Sequence, residues 1–149
     1  MTFFLNICYN LFQGGFLLKV LICDDDKCIV DEIKNNLNTF SDKHRIVFDI
    51  DLFYNGVELL NSNISYDMAF IDIEMPQVNG LTLSAQLKKV NSNIIIFIIT
   101  SHDAYLDDAM DLDVFRYLSK PIDKDRFFRA LNTAINYFHS NTQIITLEY

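Results

Sequence analysis

The chain has 149 residues and a net charge of −8, from 12 Lys and Arg against 20 Asp and Glu. That length suits one domain, and the charge has the wrong sign for a domain that gains affinity by releasing counterions from phosphates, so the domain alone is not expected to bind nucleic acid. Half of the residues are hydrophobic while Gly and Pro number only four and two, which excludes a collagen-like, mucin-like or disordered chain and leaves enough apolar surface for a packed core.

Residues 1–18 carry no charged side chain. A secretory signal would need a basic start and a small-residue cleavage site, and a membrane span would need about 20 apolar residues, whereas Asn6, Asn10, Gln13, Gly14 and Gly15 interrupt this segment. No membrane association is therefore expected. Gln13, Gly14 and Gly15 can be encoded by a purine-rich run resembling a bacterial ribosome-binding site, shortly before a Leu codon able to start translation. The expectation is that natural translation begins near Leu17 or Leu18; the alternative is an apolar arm packed on the domain. Cys8, Cys23 and Cys28 are odd in number and form no C-x-x-C pair, so neither a disulfide framework nor a zinc site is indicated and a reducing cytoplasm fits.

From residue 19 onward, short apolar runs alternate with stretches of helical period, the pattern of a doubly wound α/β domain with a parallel sheet. Strands are predicted over residues 19–23, 45–53, 68–71, 94–99 and 114–118. The first helix carries Ile29, Val30, Ile33, Leu37 and Phe40 at spacings of three and four, and the last carries Phe127, Leu131, Ala134, Ile135 and Phe138 likewise. Residues 56–60, 80–90 and 104–110 supply the three helices between. The folded unit is expected to end at residue 139, leaving residues 140–149 as a tail or linker stub, strand-prone at 144–147. Cys23 and Cys28 are expected to fill core space as small hydrophobes.

In such a sheet the ligand site lies at the carboxyl ends of the strands. Those ends carry Asp24, Asp25 and Asp26 after the first strand, Asp72 after the third, Thr100 and Ser101 after the fourth, and Lys120-Pro121 after the fifth. Carboxylates within about 4 Å repel by roughly 4 kcal/mol per pair at an effective dielectric of 20, so the cluster requires cations. Lys120 supplies one, and hard oxygen donors without His or Cys point to Mg²⁺ as the other. A magnesium ion with few protein ligands completes its shell with phosphate oxygens. That implies phosphoryl transfer in which Asp72 attacks while the metal, Lys120 and the Thr100 hydroxyl stabilise charge.

With these motifs the chain resembles a bacterial response-regulator receiver domain. The likeness runs over residues 19–138 and is carried by Lys19-Val-Leu-Ile-Cys-Asp-Asp-Asp26, Phe70-Ile-Asp-Ile-Glu-Met-Pro76 with Asn79-Gly80, Ile98-Ile-Thr-Ser101 and Tyr117-Leu-Ser-Lys-Pro-Ile122. The resemblance implies a (βα)5 flavodoxin-like fold with strand order 2-1-3-4-5. It implies phosphorylation of Asp72 by a sensor histidine kinase, and Mg²⁺ on Asp25, Asp72 and the Glu74 backbone carbonyl, with Asp24 reaching it through water. It also implies Lys120 on the phosphoryl group, a Thr100–Tyr117 switch, and a cis bond at Lys120-Pro121. Asp72-Ile-Glu-Met-Pro76 and Phe115-Arg-Tyr-Leu-Ser-Lys-Pro-Ile-Asp123 are similar to receivers attached to LytTR-type DNA-binding domains, which implies transcription control through an output domain outside this chain.

Two places depart from the family pattern: Asp113-Val114 stands where small residues are usual, and the leader has no counterpart. Glu74, two after Asp72, is expected to tune phosphoryl lifetime, and His102 to shape access; His44 and His139 are expected at the surface. An acidic fourth-helix region (Asp103, Asp107, Asp108, Asp111, Asp113) and a basic fifth strand and helix (Arg116, Lys124, Arg126, Arg129) suggest a phosphorylation-dependent homodimer that pairs the two faces. Two other readings remain at this point. One is an aspartate-nucleophile phosphatase, from the spacing of Asp72 and Glu74, and the other a receiver-like interaction module that is never phosphorylated.

Overall fold

The computed structural model describes residues 16–147. The elements run β1 (Phe16–Cys23), α1 (Lys27–Lys43), β2 (Ile46–Phe53), α2 (Gly56–Leu60), β3 (Met68–Ile71), α3 (Gly80–Val90), β4 (Ile95–Thr100), a 3₁₀ turn (Asp103–Tyr105) leading into α4 (Leu106–Asp111), β5 (Arg116–Ser119) and α5 (Lys124–Leu147). All five strands pair parallel in the order β2-β1-β3-β4-β5, the expected topology. Strand β1 begins three residues earlier than predicted, because Phe16, Leu17 and Leu18 pair with Ile46, Val47 and Phe48 of β2, and Leu18 is buried. The expectations for residues 1–15 lie outside the described residues.

The central strands β3 and β4 are buried at every position, as near-continuous apolar runs require. One face of the sheet packs on α1 and α5, where Phe70 stacks on Phe97 at 4.7 Å and on Phe127 at 5.5 Å. The other face packs Leu21, Ile71, Ile96 and Ile98 under Leu59, Leu83, Leu87 and Ala109. Burial of apolar side chains on two faces is the main stabilising term, at roughly 1.5–3 kcal/mol for each large one fully removed from water.

Helix starts follow their caps. Asp26 accepts from Cys28 N–H, Asn55 from Val57 and Glu58 N–H, and Asn79 from Leu81 N–H. Because the cap at Asp26 opens α1 with Val30 and Ile33 inward, Cys28 falls on the outer side and is exposed, correcting its expected core placement; Cys23 is buried. Helix α5 runs through residues 144–147, where a strand-prone tail was expected. No Gly or Pro interrupts residues 124–147, so a helix anchored by Phe127, Leu131, Ala134 and Ile135 propagates past the β-branched run. Asp113 takes a left-handed conformation (φ 58°) in the turn from α4 to β5, with Lys88 Nζ 3.7 Å from its carboxylate. Val114 beside it is buried. Among the described residues no helix is long and apolar enough to cross a membrane.

Candidate functional site

Register alone brings the acidic residues together. Cys23 of β1 pairs with Ile71 of β3, so Asp24 and Asp72 emerge side by side one step further on, and adjacent strands lie only about 4.8 Å apart. On the far side Ile71 pairs with Ile98, and Thr100 pairs with Ser119, which sets Lys120 immediately beyond the end of β5. Backbone bonds continue these ladders: Asp72 N–H donates to Cys23 O (3.1 Å) and Lys120 N–H to Thr100 O (2.9 Å).

Lys120 Nζ sits 2.8 Å from Asp24 Oδ2 and 3.2 Å from Asp72 Oδ2. Asp24 and Asp72 are buried, whereas Asp25 is exposed at the mouth of the pocket. One carboxylate oxygen from each of the three lies within 4.8 Å of the others. Asp24 Oδ1 accepts from Asp26 N–H at 2.9 Å, but Asp72 Oδ1 is buried with no hydrogen-bond partner. Burial pushes the Asp24 carboxyl above its ordinary range and the Asp72 charge adds to the rise, against the hydrogen bonds from Lys120 and Asp26. Burial by itself would lower Lys120, yet its bond to Asp24 and the charges of both carboxylates outweigh this and hold it above its usual value. Three carboxylates against one ammonium leave a net of −2, the charge a divalent cation cancels.

Hard oxygen donors, that residual charge and a buried Asp72 oxygen without a partner together fit Mg²⁺. Asp24, Asp25 and Asp72 offer the side-chain oxygens. The backbone at Asp72 is held by close packing against the start of α3. Gly80 N–H donates to Ile73 O at 2.8 Å, and a Cβ on Gly80 would lie 2.0 Å from Asp72 O. Only glycine fits there.

Of the remaining predicted residues, Thr100 closes β4 and Tyr117 lies on the neighbouring β5. Thr100 is fully buried, and its hydroxyl accepts from His102 N–H at 3.4 Å. Tyr117 is half-buried, and its hydroxyl donates to the His102 carbonyl. Burial, followed by the charges of Asp103 and Asp72, raises the Tyr117 hydroxyl above its ordinary value. The Lys120–Pro121 peptide is cis.

The Glu74 side chain, 46% exposed, is engaged twice, by His102 Nε2 at 2.9 Å and by the Tyr105 hydroxyl at 3.0 Å. Sequence reasoning singled out Glu74 and His102 separately and missed Tyr105. Their contact spans about thirty positions between two loops, and no local pattern signals it. Ser119 Oγ of β5 donates to Asp103 Oδ1 of the 3₁₀ turn (3.2 Å), another contact between remote segments.

Residues 20–132 match the family model for the response regulator receiver domain. The chain is 31% identical over 115 residues to the sensory transduction protein LytT of Bacillus anthracis, covering 77% of this chain and 46% of that one. It is also 31% identical over 117 residues to the transcriptional regulatory protein BtsR of Escherichia coli, covering 77% and 47%. The chain thus spans about half the length of the curated relatives it matches. A receiver domain structure from Clostridium thermocellum superposes with a TM-score of 0.67 at 26% identity, covering 82% of this chain and 97% of that one.

Proposed function

Because this chain belongs to the response-regulator receiver family, we propose that it accepts a phosphoryl group on Asp72 from a sensor histidine kinase and, in response, changes its outer surface. The observation that carries the reading is the state of the Asp72 carboxylate: Oδ2 is held by Lys120, and Oδ1 is buried with its lone pairs unengaged. Such a carboxylate can give one oxygen to the metal and the other to phosphorus, and its position and partial desolvation favour in-line attack. The new bond joins the Asp72 oxygen to phosphorus as the bond from phosphorus to the donor nitrogen breaks, and the donor imidazole leaves with the electron pair. Mg²⁺, when held by Asp24, Asp25, Asp72 and the Glu74 backbone carbonyl, supplies positive charge against the phosphoryl oxygens.

Lys120 exchanges its bond with Asp72 Oδ2 for one with a phosphoryl oxygen. Thr100 exchanges its bond with His102 N–H for a hydrogen bond donated to the phosphoryl group. Freed from Thr100, the loop that holds Tyr117 through the His102 carbonyl can shift, and phosphorylation biases the two conformations by its differential contacts. Conversion of the acid site into a surface change makes the protein a switch that catalyses its own phosphorylation and dephosphorylation.

The acids of the 3₁₀ turn and α4 are all exposed, as are Leu106 and Met110 among them. Arg116, Lys124 and Arg126 offer the opposite charge. We propose that these faces pair in a homodimer after phosphorylation, with Arg129 less involved because it lines a cleft against α1. This reading belongs to the cytoplasm, where kinase and Mg²⁺ meet, and to transcription control exerted through a DNA-binding region beyond this domain.

The test is labelling by acetyl phosphate with Mg²⁺, read by intact mass and by loss of the label to hydroxylamine. The wild-type chain should take one phosphoryl group and the Asp72→Asn variant none. Persistent labelling of that variant would overturn the proposal, and steady turnover of phosphomonoesters would make the protein a phosphatase instead. Sedimentation with and without beryllofluoride tests the dimer, which an unchanged mass would exclude.

A further inference from the structure

Away from the acid site, the C-terminal end of α1, with His44 just beyond it, and the N-terminal half of α5 form an open cleft of about 450 Å³ lined by Phe40, Lys43, His44, Phe128, Arg129 and Asn132. Its wall is a run of near-parallel rings. His44 stacks on Phe40 at 4.0 Å and 23°, and Phe128 lies 6.5 Å from Phe40 at 13°. Phe40 is buried, so the faces left to a visitor are those of exposed His44 and half-buried Phe128. Lys43 and Arg129 stand exposed at the rim, and neither makes an ion pair among the described residues. In a chain with 20 acids, the cleft thus sets two cations beside a ring slot, with no carboxylate among its lining residues.

We infer that this cleft binds a planar aromatic anion, and that a purine nucleotide is the cellular class that carries both features. Its base stacks along the rings of His44 and Phe128, where offset stacking gains energy that burial alone does not supply. Its phosphate meets the Lys43 ammonium and the Arg129 guanidinium, whose planar fork suits phosphate oxygens. The Asn132 amide offers both a donor and an acceptor for a base edge. The volume falls within the range of small-ligand sites. Because α1 starts at the acid pocket and α5 follows Lys120, a ligand bridging the two helices touches elements that flank the phosphorylation site without touching the site itself.

The test is an amide-resolved NMR titration of the whole chain with AMP, in EDTA so that no metal can bridge the phosphate to Asp72. Saturable shifts at Phe40, His44, Phe128 and Asn132 are expected, with a sub-millimolar dissociation constant. Adenosine, which lacks the charge, and ribose 5-phosphate, which lacks the ring, should each bind at least about tenfold more weakly. The K43Q/R129Q double variant changes only exposed side chains and should weaken AMP by about tenfold or more while accepting phosphate on Asp72 as before. Shifts that fall elsewhere, equal binding of ribose 5-phosphate, or unchanged affinity in the double variant would each overturn the assignment. Failure here leaves the Asp72 labelling result untouched, so the two readings fail separately.

Discussion

Lys120→Ala removes the one cation that two buried carboxylates share. Its ammonium lies 2.8 Å from Asp24 and 3.2 Å from Asp72, and the three side chains are 14%, 2% and 8% exposed, so solvent screens the pair little. Breaking a buried pair from one side costs about 3–5 kcal/mol because a charge is left uncompensated. Taking about 3 kcal/mol, and a urea slope near 2 kcal/mol per molar, the unfolding midpoint in EDTA at pH 7 should fall by about 1.5 M. Two additions should restore stability, each for an electrostatic reason. Mg²⁺ at about a hundredfold excess over its dissociation constant contributes about 2.7 kcal/mol by linkage, and the variant should gain more from it than the wild type, because its pocket is one charge more negative. Neutralising one acid in the Asp24→Asn/Lys120→Ala double variant should recover most of the loss. Circular dichroism against urea reads all of these. A single variant that unfolds like the wild type in EDTA, with no larger response to Mg²⁺, would refute the charge argument and with it the pocket's need for a cation.

Gly80→Ala would force a methyl to within 2.0 Å of the Asp72 carbonyl oxygen, a backbone clash, whereas Gly56→Ala meets only the side chains of Leu83 and Val78 at 2.9 Å. The first should destabilise by about 3 kcal/mol and slow phosphorylation by about 100-fold through displacement of Asp72, the second by about 1–2 kcal/mol without that loss; thermal melts and labelling rates distinguish them. Asp24 and Asp67 are both raised from 3.8, mainly by burial, so their favourable contribution is present below that value and is lost as pH rises through their folded-state values. In EDTA the urea midpoint should therefore carry a component that falls as pH rises above 3.8, and Mg²⁺ should remove the Asp24 share; identical pH profiles with and without the metal would contradict this. Burial, with the Asp24 charge next, pushes the Cys23 thiol up to about 12, while Cys28 is exposed. A disulfide reagent should modify Cys28 in the folded protein and Cys23 only after unfolding, as peptide mapping would reveal.

Most of the candidate site is legible in the sequence because its parts are local. Asp24, Asp72, Thr100 and Lys120 each follow a short apolar run, and a run of that kind is a buried strand whose end must lie at one rim of a parallel sheet. Periodicity likewise marked the inward faces of α1 and α5, since a helix repeats its environment every three to four residues. Boundaries were less secure. Residues 16–18 read as part of an uncharged leader, and only pairing with residues 46–48 makes them strand.

What the chain settles by itself is the set of chemical groups and the rim that gathers them, because both follow from patterns a few residues long. Tertiary structure decided the rest: that Asp24 and Asp72 are buried while Asp25 stays in water, that Lys120 bridges the buried two, that Tyr105 and His102 meet on Glu74, and that Phe40 and Phe128 frame a cleft. Those contacts join segments that are remote along the chain. Their energies depend on distances of a few ångströms that strand register and helix packing set, and no local propensity encodes such distances.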